Sequence, residues 1–153
     1  MQIGNYVFCF VETICPVTEN GVIAHFQPQH RYVNKKGLQL HQHGEGSFCK
    51  FKLRNASESS GVYAWIIQGE RQPIYIGRAV NLKKRFNTGY GNISPKNCFV
   101  GGQTTNCKMN KVVLQKYSEG KKIDVYFYAT PNYTAVEKEL LDCVNTIYNV
   151  VNN

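Results

Sequence analysis

The stretch from Gly61 to Arg85, GVYAWIIQGERQPIYIGRAVNLKKR, constrains the fold more than any other part of the chain. Two runs rich in β-branched and aromatic residues, GVYAWIIQ and PIYIGR, flank a polar turn, the composition of a β-hairpin. Side chains alternate across a strand, so Tyr63, Trp65 and Ile67 share one face and Val62, Ala64 and Ile66 the other. Tyr75 and Gly77 likewise share a face, opposite Ile74 and Ile76. Pairing the strands puts both phenols on one side of the sheet, with Gly77 leaving open backbone for a ligand. Taken alone, the aromatic residues equally suit an amphipathic core.

The remaining elements follow from the same reasoning. NYVFCFVET and GVIAHFQ predict strands separated by the turn-prone CPVTENG, and SFCKFKL a short edge strand. NASESSG is a break, and the compact domain is expected to begin there. Asn81 caps a short helix LKKRFNTG. Residues 87–110 are expected to be a loop, long enough to suggest function. KVVLQKYSEG predicts a helix, KIDVYFYAT a strand, and NYTAVEKELLDCVNTIYN a final helix capped by Asn132 or Thr134. At 153 residues the chain is expected to form one α+β domain with a small sheet flanked by helices, preceded by an appendage.

Net charge is +8, and it is uneven. From Arg78 to Lys122 ten basic residues face a single acid, Glu119, whereas the first fifty residues are nearly neutral. Such a stretch suits a polyanion such as nucleic acid, or simply a solvated surface. The six cysteines form no Cys-x-x-Cys pair, so reduced thiols in a cytoplasmic protein are expected. No signal peptide, membrane span or organic cofactor is expected. His41, His43 and Cys49 lack a fourth ligand at zinc spacing.

In the final helix, Val136, Leu140, Leu141, Cys143, Val144, Ile147 and Tyr148 fall on one face at about 100° per residue. Glu137 falls inside that stripe, whereas Glu139 and Asp142 point away. A carboxylate against an apolar face is costly unless paired or holding a metal. Either Glu137 sits at the core's rim, favoured by the helix N-terminus, or it holds a hard cation such as Mg²⁺.

Gly61-Val62-Tyr63, then Tyr75-Ile76-Gly77-Arg78-Ala79, then NLKKRF with Arg85, then Glu137 and, twelve residues later, Asn149, together resemble the signature of the GIY-YIG nuclease superfamily over about residues 60–151. The resemblance implies a mostly antiparallel three-stranded central sheet flanked by helices in residues 60–153, with a loop insertion at 87–110 and an N-terminal β-rich extension at 1–59. It also implies a phosphodiesterase with one Mg²⁺ per site that leaves 5′-phosphate and 3′-hydroxyl ends. By position, Tyr63 would act as general base or orient the attacking water, with Tyr75 hydrogen-bonded nearby. Arg85 would stabilise the pentacovalent phosphate, Glu137 would hold the metal, and Asn149 would support the site. Arg78 stands where many members carry Lys, and either cation favours a phenolate. A phenol with pKa about 10 is only about 0.1% ionised at pH 7, so nearby cations have chemical work to do. The three groups Tyr63, Arg85 and Glu137 are expected to share one phosphate.

Lys83 and Lys84 are expected to grip DNA, as are Lys96, Lys108 and Lys111 in and beside the insertion; Asn92 and Gln103 are expected to reach base edges. The insertion resembles those of GIY-YIG restriction endonucleases more than homing or repair nucleases. Double-stranded DNA is therefore the expected partner, residues 1–59 a clamp, and a homodimer the form suited to a palindromic target. The rival reading is a nucleic-acid binding module that does not cut.

Overall fold

The structure is a computed structural model in which residues 1–149 are described. The chain divides into two compact units: Met1–Ile14, Leu53–Arg85 and Lys121 onward form the first, and Cys15–Lys52 and Phe86–Gly120 the second. The 1–59 extension drawn from the sequence is thus shared between the units, its first fourteen residues belonging with the hairpin.

Unit 1 begins with short strands β1 (Gln2–Ile3) and β2 (Tyr6–Val7), paired with each other. Its main sheet contains β3 (Cys9–Thr13), and, beyond unit 2's short β4 (Thr18–Glu19) and β5 (Val22–Ile23), β6 (Gly61–Ile67), β7 (Pro73–Ala79) and β8 (Ile123–Ala129). The order is β3-β8-β6-β7 and every pairing is antiparallel. The fold is α+β, but its sheet has four strands rather than the three expected. The additional strand is β3, which continues the expected strand NYVFCFVET into an edge beside β8.

The hairpin forms as its composition predicts, with Tyr63 opposite Gly77 and Trp65 opposite Tyr75. All seven residues of β6 are buried. Val62, Ala64, Ile66 and Ile76 pack with Ile3 and Phe8, and with Val136 and Leu140 of the final helix, Tyr133–Cys143. Burial of each large apolar side chain contributes about 1.5–3 kcal/mol.

That helix is shorter than the sequence predicts. It stops at Cys143, and Val144 is extended. Val144, Thr146 and Ile147 are β-branched, which weakens helical propagation. The segment instead lies along β7, where the Tyr148 N–H donates to the Ile74 carbonyl at 3.1 Å. The expected apolar stripe therefore breaks: Val136 and Leu140 are buried, whereas Ile147 is 71% exposed.

Unit 2 pairs β4 with β5. SFCKFKL forms no strand, only an isolated bridge between Phe48 and Phe26. The expected loop 87–110 contains helical turns at Phe86–Tyr90 and Pro95–Cys98, and from Thr104 it is helix. Taking the short helix Leu82–Arg85 as α1, this long helix (Thr104–Ser118) is α2 and the final one α3. The Thr and Asn residues of TTNCKMN are poor helix formers, but Asn106, Cys107, Met109, Asn110 and Val113 form a buried face, and that packing outweighs propensity. Phe48, Ile93, Cys98, Phe99 and Cys107 make the core of this unit. All six cysteines are free thiols. Among the described residues no helix is long and apolar enough to cross a membrane.

Candidate active site

The cross-strand register of β6 and β7 positions the two phenols. Tyr63 and Tyr75 lie on one face of the hairpin with ring centroids 6.4 Å apart, and Tyr75 meets Trp65 edge-on at 6.1 Å. Tyr63 is 1% exposed. Gly77 does not offer the open backbone expected of it. A Cβ built there would stand 2.7 Å from Tyr63 Cε2 and closer still to its Cζ and oxygen, because Tyr63 is directly opposite and its ring fills the place of the missing side chain. Gly61 is equally constrained, since a Cβ there would run into the Tyr128 carbonyl and the Phe127 ring.

The other face of β7 carries Ile74, Ile76 and Arg78. Here α3 contributes Glu137, whose Oε1 lies 3.8 Å from Arg78 Nε. The Glu137 side chain is 20% exposed and that of Arg78 47%. Burial raises the Glu137 pKa above the ordinary carboxylate value, and the Arg78 charge partly offsets this. The wheel thus identified the acid that faces the sheet, while Glu139 is exposed and accepts hydrogen bonds from Tyr6 and Asn5.

The predicted residues of unit 1 fall into two groups, then: Tyr63 and Tyr75 on one face, Arg78 and Glu137 on the other. The expected convergence of Tyr63, Arg85 and Glu137 on one phosphate is not formed as drawn, because Tyr63 and Glu137 stand on opposite faces of the sheet; the two groups adjoin at β7, the edge strand. Asn149 is fixed to that edge. Its Oδ1 accepts the Ile76 N–H at 2.9 Å and its Nδ2 donates to the Ile76 carbonyl at 2.7 Å, so one side-chain amide substitutes for a neighbouring strand. Thr146, which the sequence did not single out, donates to Asn149 Oδ1 and orients it. Main-chain groups alternate with a period of two along a strand, so the next outward-pointing pair belongs to Arg78. The sequence places Asn149 at a helix end; the structure places it in a bend after α3, from which its side chain reaches Ile76.

Helix α1 follows β7. Asn81 caps it, its Oδ1 accepting the Lys84 N–H at 3.0 Å, and the N–H groups of Leu82 and Lys83 donate to the Ser59 and Ser57 carbonyls. Lys83 and Lys84 are exposed and Arg85 is half-buried.

In unit 2, Asn92, Lys96 and Gln103 are exposed, and Lys108 and Lys111 are half-buried on α2. The sequence reads Asn110 as part of a loop, yet it is fully buried and organises this unit. It accepts from the Cys49 N–H at 3.0 Å and donates to the Cys49 and Tyr90 carbonyls at 2.8 and 2.7 Å. The helical spacing of Asn106, Cys107, Asn110 and Val113 was the available signal. His41 Nδ1 accepts the His43 N–H at 3.0 Å, which leaves Nε2 as donor to the Asn97 carbonyl at 2.6 Å. Both ring nitrogens of His41 are thus engaged, and neither offers a metal a spare lone pair.

Among the described residues no three His, Cys, Asp or Glu side chains gather as a metal cluster. Mg²⁺ does not require one, since it takes one or two carboxylates and completes its shell with water and substrate phosphate. Half-buried Glu137 has the chemistry for the protein's share. No family model matches the chain, and neither a curated protein nor a solved structure does.

Proposed function

We propose that the chain is a Mg²⁺-dependent endonuclease that hydrolyses DNA phosphodiester bonds to 5′-phosphate and 3′-hydroxyl ends. One observation carries this reading: Glu137, the acid that the helical wheel turns inward, reaches the strand of the Tyr75-Ile76-Gly77-Arg78 motif. In this reading β7, β6 and β8 are the three strands of a GIY-YIG sheet, and β3 is an addition.

Glu137 would hold Mg²⁺, which when bound would supply positive charge to the departing oxygen. Tyr63 accepts a proton from the attacking water when ionised to the phenolate, or orients that water as the neutral phenol, and Tyr75 orders that ring. Arg85 neutralises the charge that builds on the phosphate. Burial raises the pKa of Glu137 and Arg78 offsets part of that rise, favouring the ionised carboxylate. Tyr75 of edge strand β7 and Tyr63 of the inner strand β6 lie on one face of the sheet and Glu137 faces the other, so in this reading the scissile phosphate would sit at the outer edge of β7 near Arg78, beyond the stretch that Asn149 covers.

Site-specific restriction is the favoured subtype, acting in the cytoplasm as a homodimer on duplex DNA. Incubation of supercoiled and linear DNA with Mg²⁺, beside an EDTA control, tests the proposal. Discrete fragments support a site-specific enzyme and a smear a nonspecific one; a gel shift without cutting makes the chain a binding module.

A further inference from the structure

The clasp that Asn110 makes on Cys49 also fixes two cations of unit 2. Its side chain bonds both the N–H and the carbonyl of Cys49, at 3.0 and 2.8 Å. The residues next to this clasp are Phe48 and Lys50 in one segment and Lys111 in the other. Phe48 is tied in turn to Phe26: the Phe26 N–H donates to the Phe48 carbonyl at 2.8 Å, and the Phe48 N–H to the Phe26 carbonyl at 2.9 Å. Residues paired in this way project their side chains from one face of the ribbon. The Lys50 main chain is held as well, its carbonyl accepting the Val17 N–H at 2.7 Å.

Each of the paired rings carries one ammonium. Lys50 Nζ lies over the Phe26 ring, 4.4 Å from its centroid, and Lys111 Nζ over the Phe48 ring, 5.4 Å from its centroid. Both lysines are half-buried. An aromatic face attracts a cation without neutralising it, so each ammonium keeps its charge and its donors for a second partner. Among the described residues neither lies within ion-pair distance of a carboxylate. Unit 2 as a whole, residues 15–52 and 86–120, has nine Lys and Arg against three acids, a balance that favours a polyanion. A solvated lysine loses rotamer freedom when it grips a phosphate, whereas Lys50 and Lys111 are already seated and lose less. Two cations mounted on paired rings suit the repeating charge of a nucleic-acid backbone.

We propose that Lys50 and Lys111 grip backbone phosphates of duplex DNA, with Phe26 and Phe48 as their positioning residues and the Asn110–Cys49 clasp holding the two together. This rests on the reading that the chain acts on DNA, but not on its ability to cut. The pair supplies affinity without reading sequence, because phosphates carry no base identity.

The test uses the full chain in EDTA with a fluorescein-labelled duplex of mixed sequence, followed by anisotropy over a series of salt concentrations. Lys50→Gln and Lys111→Gln keep most of the side-chain stem and lose the charge, and each is expected to flatten the log–log salt dependence by about 0.9. The double variant is expected to flatten it by about 1.8. Phe26→Leu removes the seat of Lys50 but not its charge, so affinity is expected to fall about two- to fivefold with the slope unchanged. Lys35→Gln alters an exposed lysine of the same unit and is expected to leave the slope as it is. An unchanged slope in Lys50→Gln or Lys111→Gln that melts cooperatively, full affinity in Phe26→Leu, or equal flattening in Lys35→Gln overturns the proposal. If the expected effects appear but Mg²⁺ never elicits cleavage, the nuclease reading fails and the phosphate site stands. Cleavage without these effects has the opposite meaning.

Discussion

The phenol of Tyr63 occupies the space that a side chain at Gly77 would need. The two residues are opposite one another on β6 and β7, and a Cβ at position 77 would be 2.7 Å from Tyr63 Cε2. Tyr63 is buried and lies against a strand, so its ring has little freedom to retreat. Gly77→Ala is therefore expected to lower stability by about 1–3 kcal/mol, the usual range for overpacking, and to displace the phenol. Urea denaturation measures the first effect. Cleavage rate per folded molecule measures the second, and a fully active, equally stable variant would show that the ring simply moves aside.

Tyr63→Phe separates packing from chemistry. The ring stays and only the hydroxyl leaves, so the fold and affinity for DNA in EDTA are expected to hold within about twofold, because one buried neutral hydrogen bond contributes only about 1 kcal/mol net. Cleavage in Mg²⁺ is expected to fall by at least about a hundredfold, the lower range for loss of a general base. Normal cutting by the variant removes Tyr63 from the mechanism.

The raised pKa of Glu137 gives a pH dependence of definite sign. Metal holding needs the carboxylate ionised, so Mg²⁺-dependent cleavage is expected to be lost as pH falls through a value above the ordinary 4.5. Arg78 favours the ionised form, and it lies 3.8 Å away. Arg78→Gln is accordingly expected to shift this acidic limb to higher pH. Rate–pH profiles at Mg²⁺ well below saturation are the measurement, since bound cation itself favours the carboxylate, and a limb that moves to lower pH contradicts the arrangement. Glu137→Gln should abolish cleavage at every pH.

The hairpin and its facing residues were legible because alternation, β-branched composition and a polar turn all agree over Gly61–Ala79. Glu137 was legible because helical periodicity holds in the first two turns of α3. It fails after Cys143, where β-branched residues exchange helical bonds for the edge of β7, an opportunity that only the folded sheet creates. β3 is legible as a strand but not as a member of the main sheet, because it satisfies its backbone by pairing with β8, more than a hundred residues later. Nothing local marks that pairing. In unit 2 the Thr and Asn residues of α2 read as loop, and the burial that stabilises them depends on residues 48 and 49 being brought back against the helix. The Tyr63–Gly77 contact was missed differently. Alternation gives the shared face, but not whether the neighbouring ring leans into the gap.

Asn149 offers a final test of how the edge of β7 is held. Its amide supplies an acceptor and a donor to one residue, Ile76. Asn149→Asp keeps an acceptor for the Ile76 N–H but places a carboxylate oxygen, in place of the amide nitrogen, beside the Ile76 carbonyl. Asn149→Ala removes both bonds. Each variant is expected to lose about 1–3 kcal/mol, the cost of leaving such groups poorly paired, and the aspartate variant should regain part of the loss on acidification, when its protonated carboxyl can donate. Hydrogen exchange locates the effect: the Ile76 amide should lose protection in the alanine variant while the Tyr63 amide, in the centre of the sheet, keeps it. Cleavage should fall with the loss of order at β7, because Tyr75 and Arg78 both depend on that strand. Unchanged protection at Ile76 in Asn149→Ala would mean that the edge is held without the side-chain amide.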